Sequence, residues 1–201
     1  MKNYRTFLLS AALLPYLLTI SACASSPGSE SAPVAVMKTY NGEEIHLADY
    51  QDKIVVLEWF NAGCPFVAKH YKSGHMPAMQ KEFIERGVVW FVINSTNPRH
   101  ENYLTPDKAK QTEAEWGIAG SKMINDEEGT VGKLFGAKTT PHMFLIKGGT
   151  IAYQGAIDNN PSTDSDPAKA QNYVKQALNE LLAGKPVAKA SAKPYGCSVK
   201  Y

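Results

Sequence analysis

Two almost unbroken apolar runs are the strongest constraint that this sequence places on its fold. Residues 54–60 have the sequence IVVLEWF and residues 88–93 have the sequence VVWFVI. Apolar residues at successive positions, many of them β-branched, are typical of strands that are buried on both faces of a sheet. Helical patterns follow these strands at 66–86 and 106–116. The sequence therefore predicts a central sheet with helices packed on both of its faces.

The remaining segments complete an α/β three-layer sandwich. The other predicted elements are an N-terminal β-hairpin at 34–47, a short helix at 130–135, an antiparallel strand pair at 142–146 and 151–153, and a last helix at 167–182. In the long helix, Gly74 and Pro77 predict a kink. Together these elements predict one domain at 34–184, followed by a tail at 185–201.

The first 22 residues are predicted to be an export signal. A positively charged start precedes an apolar run at 7–20, which is short for a membrane span. The run closes on the letters ISAC, which resemble a bacterial lipobox and imply lipidation of Cys23. Residues 23–33 are small and polar, which predicts a flexible tether. We therefore expect an exported protein, lipid-anchored in a bacterial cell envelope. Ala24 after the lipidated residue favours the outer membrane, with the domain facing the periplasm.

The charge of the chain gives no support for a nucleic-acid partner. It has 21 Lys and Arg residues against 19 Asp and Glu residues, and no basic run concentrates the small excess. Binding to a phosphate backbone depends on such concentrations of positive charge. The sequence also carries no flavin or nicotinamide fingerprint, so we predict no cofactor.

Cys64 is the candidate nucleophile, because it lies between a predicted buried strand and a predicted helix. A thiol at a helix N-terminus faces free backbone N–H groups and the positive end of the helix dipole, which stabilise the thiolate. Pro65 fits the first helical position, where its missing N–H would be unpaired in any case. The thiolate is the reactive form, so this placement favours nucleophilic or redox chemistry over simple packing.

Several motifs in this chain resemble those of the thioredoxin superfamily. They are WFNAGCPFV at 59–67, TTP at 139–141 and the C-terminal ending GCSVKY. The first resembles the active-site segment of that superfamily and the second its cis-proline loop. The whole set is most similar to the redoxin branch, the AhpC/TSA-like or peroxiredoxin-like proteins. The resemblance implies a thioredoxin-like fold. It also implies a substrate groove formed by Thr140, Pro141 and Pro65.

At two positions this chain differs from the family pattern, and at a third it agrees with it, and all three bear on the mechanism. Thioredoxins have a second cysteine three positions after the first, where this chain has Val67, so a local disulfide is impossible. Asn61 stands where peroxiredoxins have a threonine, and its amide is expected to donate a hydrogen bond to a peroxide or a thiolate. Glu58 resembles the buried acid of thioredoxins. Burial would raise its pKa and suit it to move protons to and from the thiols.

Cys197 is the candidate resolving thiol. If Cys23 is lipidated, Cys64 and Cys197 are the two thiols that remain in an oxidising compartment. A tail that folds back would let Cys197 attack a sulfenic acid or a mixed disulfide on Cys64. A permanent Cys64–Cys197 bond is the other interpretation, since closing so long a loop stabilises a fold by about 4–5 kcal/mol in the chain-entropy model. The sequence leaves both uses open.

The leading prediction is a thiol oxidoreductase that acts on a protein disulfide or a peroxide and takes electrons from an external thiol protein. One alternative is a Cu(I)-binding module or metallochaperone that uses Cys64 with His70 or Cys197, since soft ligands select that ion. The spacing matches no strong metal signature, so no metal ligand is predicted and a helix-surface position is favoured for Lys69 and His70. A second alternative is a non-catalytic adaptor held by a structural Cys64–Cys197 disulfide.

Overall fold

The computed structural model describes residues 30–118 and 122–201. The predicted export signal and Cys23 lie outside these ranges. Within them, no helix combines the length and the apolar character that crossing a membrane requires.

Ten strands and five helices make up the described ranges. The strands are β1 (Glu30–Ser31), β2 (Val36–Lys38), β3 (Glu44–His46), β4 (Ile54–Trp59), β5 (Val89–Asn94), β6 (Lys122–Asn125), β7 (Thr139–Thr140), β8 (His142–Lys147), β9 (Thr150–Gly155) and β10 (Cys197–Ser198). The helices are α1 (Pro65–Lys72), α2 (His75–Glu85), α3 (Pro106–Trp116), α4 (Thr130–Phe135) and α5 (Tyr173–Leu182). Short 3-10 helices occur at Leu47–Tyr50 and Pro167–Lys169.

The central sheet has the strand order β1-β9-β8-β4-β5-β6. Strands β4, β5 and β6 are parallel, and β8 and β9 extend the sheet as an antiparallel pair on the other side of β4. All six residues of β4 are buried. The apolar run at 54–60 is therefore a strand at the centre of the sheet, as predicted.

Alternate residues of β4 point into two separate cores, one on each face of the sheet. Val56, together with Phe60 just after the strand, packs in a core that includes side chains of α1, α2 and α5. Val55 and Trp59 pack in a second core, with α4 and the β2–β3 hairpin. Helices therefore lie on both faces of the sheet, and the predicted three-layer α/β/α sandwich with an N-terminal hairpin is confirmed.

Three element boundaries differ from the predicted ones. The predicted long helix is two helices, because Gly74 adopts the left-handed conformation at φ +75° and ends α1. Pro77 falls in the first turn of α2, where a missing N–H is tolerated. The last helix begins only at Tyr173, because Asn172 caps it by accepting a hydrogen bond from the Lys175 N–H. Residues 30–31, inside the predicted tether, form β1 and pair with β9.

The predicted tail folds back over the domain. Its residues 190 and 192 make backbone hydrogen bonds to Gln154 of the β9 strand. Gly155 allows this approach, since a Cβ at that position would lie 1.9 Å from the Ala192 carbonyl oxygen. The tail then continues to β10, which pairs with β7 at the end of the sheet where Cys64 lies.

Candidate active site

Asn61 shapes the loop that presents Cys64. Its side-chain carbonyl accepts a hydrogen bond from the Gly63 N–H at 2.8 Å, and its amide donates to the Thr96 hydroxyl at 2.8 Å. The Cys64 N–H in turn donates to the backbone carbonyl of Asn61 at 3.0 Å. Asn61 is therefore buried in a tight turn that connects β4 to α1. Its contact with a peroxide or a thiolate stays a prediction.

Cys64 lies at the start of α1, as the N-cap residue, with Pro65 at the first helical position. Its side chain makes no capping hydrogen bond to a helix amide. The thiol instead donates to the Thr140 carbonyl at 2.9 Å, next to the cis peptide bond between Thr140 and Pro141. Only 1% of Cys64 is exposed. The predicted position at the helix terminus is thus present, and in this state the sulfur is covered.

Cys197 lies directly beside Cys64. In the antiparallel pairing of β10 with β7, Cys197 stands opposite Thr140. Gly196, at φ +134°, permits this approach, because a Cβ there would lie 2.1 Å from the Thr140 carbonyl oxygen. Both cysteines are free thiols, and Cys64 is close enough to Cys197 to affect its pKa. Burial, together with the contact with Cys64, raises the pKa of Cys197 to about 11. Cys197 is therefore protonated at neutral pH.

Glu58 is completely buried on the same face of the sheet as Cys64. Its carboxylate accepts hydrogen bonds from Tyr71 at 2.8 Å, Gln80 at 2.9 Å and Trp90 at 2.8 Å. Burial raises its pKa to about 7, against the lowering effect of these three donors. A pKa in this range suits proton transfer near neutral pH. None of the hydrogen bonds among the described residues joins this carboxylate to Cys64, so the proton-shuttle role stays a prediction.

A polar cluster lies beside the cysteine pair, and the sequence did not predict it. The Tyr195 hydroxyl donates to Asp158 Oδ1 at 2.6 Å and lies 3.1 Å from His70 Nε2. Lys69 Nζ donates to the Asn160 carbonyl at 2.7 Å and lies 5.1 Å from the centre of the Tyr195 ring. The expected helix-surface position of Lys69 and His70 is wrong, because the tail and the loop after β9 cover them.

The pKa of His70 reflects this burial. It falls to about 4, because burial penalises the imidazolium more than the nearby Asp158 carboxylate stabilises it. His70 is therefore neutral at physiological pH and bonds to Tyr195. Within the described ranges, no group of three or more His, Cys, Asp or Glu residues is placed to hold a metal ion.

These observations define a class of protein. A cysteine begins the helix after a central strand, a cis-proline lies beside it, and a second thiol completes the pair. The class is a thioredoxin-fold protein of the thiol oxidoreductase type. Residues 29–154 match the model of the AhpC/TSA family. The chain belongs to that family.

Solved structures with the same fold are known. An uncharacterized conserved protein from Geobacillus kaustophilus is 25% identical, with a TM-score of 0.72 over 86% of this chain and 91% of that one. A hypothetical protein from Sinorhizobium meliloti 1021 is 21% identical, with a TM-score of 0.74 over 86% and 93%. A secreted Mycobacterium tuberculosis disulfide oxidoreductase homologous to E. coli DsbE is 15% identical, with a TM-score of 0.52 over 72% and 94%. The last two likenesses show the fold alone. No curated protein matches the chain.

Proposed function

We propose that this protein is a thiol–disulfide oxidoreductase whose Cys64 and Cys197 cycle between a dithiol and an intramolecular disulfide. The observation that supports this most directly is that two free thiols lie side by side. Cys197 is held there by the tail, whose strand β10 pairs with β7, the strand that directly precedes the cis-proline Pro141. Exchange between two cysteines requires that one sulfur reach the other, and the pairing of β10 with β7 places Cys197 beside the Thr140 carbonyl that the Cys64 thiol contacts.

The reaction has two exchange steps. The Cys64 sulfur attacks one sulfur of a substrate disulfide, which forms a mixed disulfide and releases the other substrate sulfur as a thiolate. The Cys197 sulfur then attacks the Cys64 sulfur, so that the mixed bond breaks and the Cys64–Cys197 bond forms. Two electrons pass to the substrate, and the protons of the two thiols pass to the two released thiolates. An external thiol protein reverses both steps and restores the dithiol.

The roles of the two cysteines follow from their surroundings. Cys64 lies at the N-terminus of α1, where the helix dipole favours negative charge on the attacking sulfur. Cys197 must lose its proton to attack in the second step, and that proton passes to the thiolate that leaves. The Thr140 carbonyl contacts the Cys64 thiol, with Pro141 next in the chain, and Pro65 follows Cys64 at the first helical position. In this proposal these three residues line the substrate groove. Glu58 supplies or takes a proton from the same face of the sheet.

A disulfide is the proposed substrate rather than a peroxide. The Asn61 amide, which would donate to a bound peroxide, already donates to Thr96, and the side-chain carbonyl of Asn61 accepts from the Gly63 N–H. We further propose that the protein works outside the cytoplasm, anchored by a lipid on Cys23 and facing the periplasm from the outer membrane. The lipobox-like sequence supports this location, as does the fold shared with a secreted oxidoreductase.

The test is the fate of each cysteine when reduced protein meets glutathione disulfide. Mass spectrometry of acid-quenched samples should show the Cys64–Cys197 disulfide in the wild type and a glutathione adduct on Cys64 in Cys197→Ser. In Cys64→Ser, the adduct on Cys197 should form far more slowly. Equal reactivity of the two single variants would contradict the assigned roles. A Cys64–Cys197 bond that forms once and then resists reduction by a dithiol protein would instead support the adaptor interpretation.

A further inference from the structure

The tail occupies one edge of β7, the strand that directly precedes the cis-proline Pro141. Its strand β10 is the one described partner of β7, in a separate two-stranded sheet. A backbone hydrogen bond extends this pairing, from the Val199 N–H to the Lys138 carbonyl at 3.2 Å. Another, from the Asn97 N–H to the Lys200 carbonyl at 2.7 Å, joins the tail to the segment after β5. An extended peptide that adds to a strand edge uses these same backbone groups. While the tail is in place, no other peptide can pair with this edge of β7.

An aromatic residue anchors the tail at its C-terminal end. The Tyr201 hydroxyl donates to the Ala137 carbonyl at 2.9 Å. The Tyr201 ring lies over Gly129 and Gly132, where an added Cβ would come within 2.3 Å and 2.6 Å of it. This end of the tail is therefore seated on backbone that glycine leaves open.

The second aromatic anchor is Tyr195, two residues before Cys197. Its hydroxyl donates to Asp158, and since that proton is used, the His70 Nε2–H donates to the Tyr195 oxygen. Asp158 is 2% exposed, and its Oδ2 has no hydrogen-bond partner among the described residues. The hydroxyl of Tyr195 is thus one of the few groups that satisfy a buried carboxylate. Its ring also packs 5.9 Å from that of Phe66, in the first turn of α1.

We propose that Tyr195 is a positioning residue: seated on Asp158 and His70, it holds Cys197 against Cys64 and closes the cis-proline groove to peptide substrates. This inference rests on the proposed function for its role in exchange. The closed tail gives Cys197 a high effective concentration for the second step. The closed tail also keeps a protein disulfide away from Cys64 until Tyr195 leaves its contacts with Asp158 and His70. Only substrates that can displace the tail would then react.

Tyr195→Phe tests the proposal, because it removes one hydroxyl and keeps the ring. In fully reduced protein we expect alkylation of Cys64 by iodoacetamide, followed by peptide mass spectrometry, to become about 10-fold faster, since a hydrogen bond to a buried charged group is lost. The equilibrium constant for forming the Cys64–Cys197 bond from glutathione disulfide should fall by a similar factor. The matched control is Tyr50→Phe, which should change neither quantity, because Tyr50 is half-buried against the core on the opposite face of the sheet.

A second variant acts on the tail without touching a core side chain. Gly196→Ala places a Cβ against the Thr140 carbonyl and should detach β10, which also exposes Cys64 to alkylation. Unchanged alkylation and an unchanged equilibrium constant in Tyr195→Phe would overturn the positioning role. Unchanged alkylation in Gly196→Ala would overturn the closed groove. Alkylation of reduced protein needs no turnover, so these results stand even if the proposed oxidoreductase function fails.

Discussion

The buried carboxyl of Glu58 makes folding stability depend on pH. Burial raises its pKa from 4.5 to about 7 in the folded protein. The folded state then holds a proton that the unfolded state has already lost, so stability falls as the pH rises through this interval. Between about pH 5 and pH 8 the loss amounts to about 2 to 3 kcal/mol. Glu58→Gln keeps the shape of the protonated acid and removes this dependence.

The assay is urea unfolding of the reduced protein, followed by tryptophan fluorescence, at a series of pH values. The wild type is compared with Glu58→Gln because the buried His70 and His142 also titrate. Burial lowers the pKa of each to about 4, so their contribution is lost as the pH falls from 6.5 toward 4. The comparison cancels this opposite trend. Glu82→Gln, in an exposed ion pair with Lys175, is the control. A difference between wild type and Glu58→Gln that is constant from about pH 5 to pH 8 would refute a neutral, buried Glu58.

Two further predictions concern the loop and the anchor. Asn61→Ala loses the hydrogen bonds to Gly63 and Thr96. It should lower the free energy of unfolding by about 1–3 kcal/mol, because buried polar partners are left unpaired. It should also slow the reaction of Cys64 with glutathione disulfide, because Asn61 shapes the loop that presents Cys64. Thermal unfolding and stopped-flow kinetics check this, and unchanged stability would contradict the role of the turn. Cys23→Ser should abolish labelling by an alkynyl fatty acid in the producing bacterium and release the protein from membranes, whereas labelling that persists would contradict lipidation at Cys23.

The core of the fold was predictable because its signals are local. An almost continuous apolar run at 54–60, rich in β-branched residues, favours a strand covered on both faces, and such a strand needs a packed layer on each side. The break between α1 and α2 was only partly predictable. Gly74 and Pro77 both signal a departure from a straight helix. Whether the chain bends or stops depends on Gly74 adopting the left-handed conformation.

The candidate site also has a part that the sequence predicted and a part that it did not. Cys64 and the Thr140–Pro141 bond come from short motifs, and the structure brings them together. The Asp158 and Tyr195 contact was out of reach, because it depends on the path of the tail rather than on any spacing in the sequence. That path depends on long-range backbone pairing at Gly196, where a close approach to Thr140 excludes a side chain. The burial of His70 follows from the same contact.

The redox state of the two thiols in living cells tests the central claim most directly. Cells are quenched in acid, free thiols are blocked with a maleimide, and the Cys64 and Cys197 peptides are quantified with and without prior reduction. We predict a mixture of dithiol and Cys64–Cys197 disulfide that shifts toward the dithiol after a brief pulse of dithiothreitol and returns after its removal. A pair found entirely as thiols in all conditions, or entirely as a bond that the pulse leaves intact, would contradict a cycling pair.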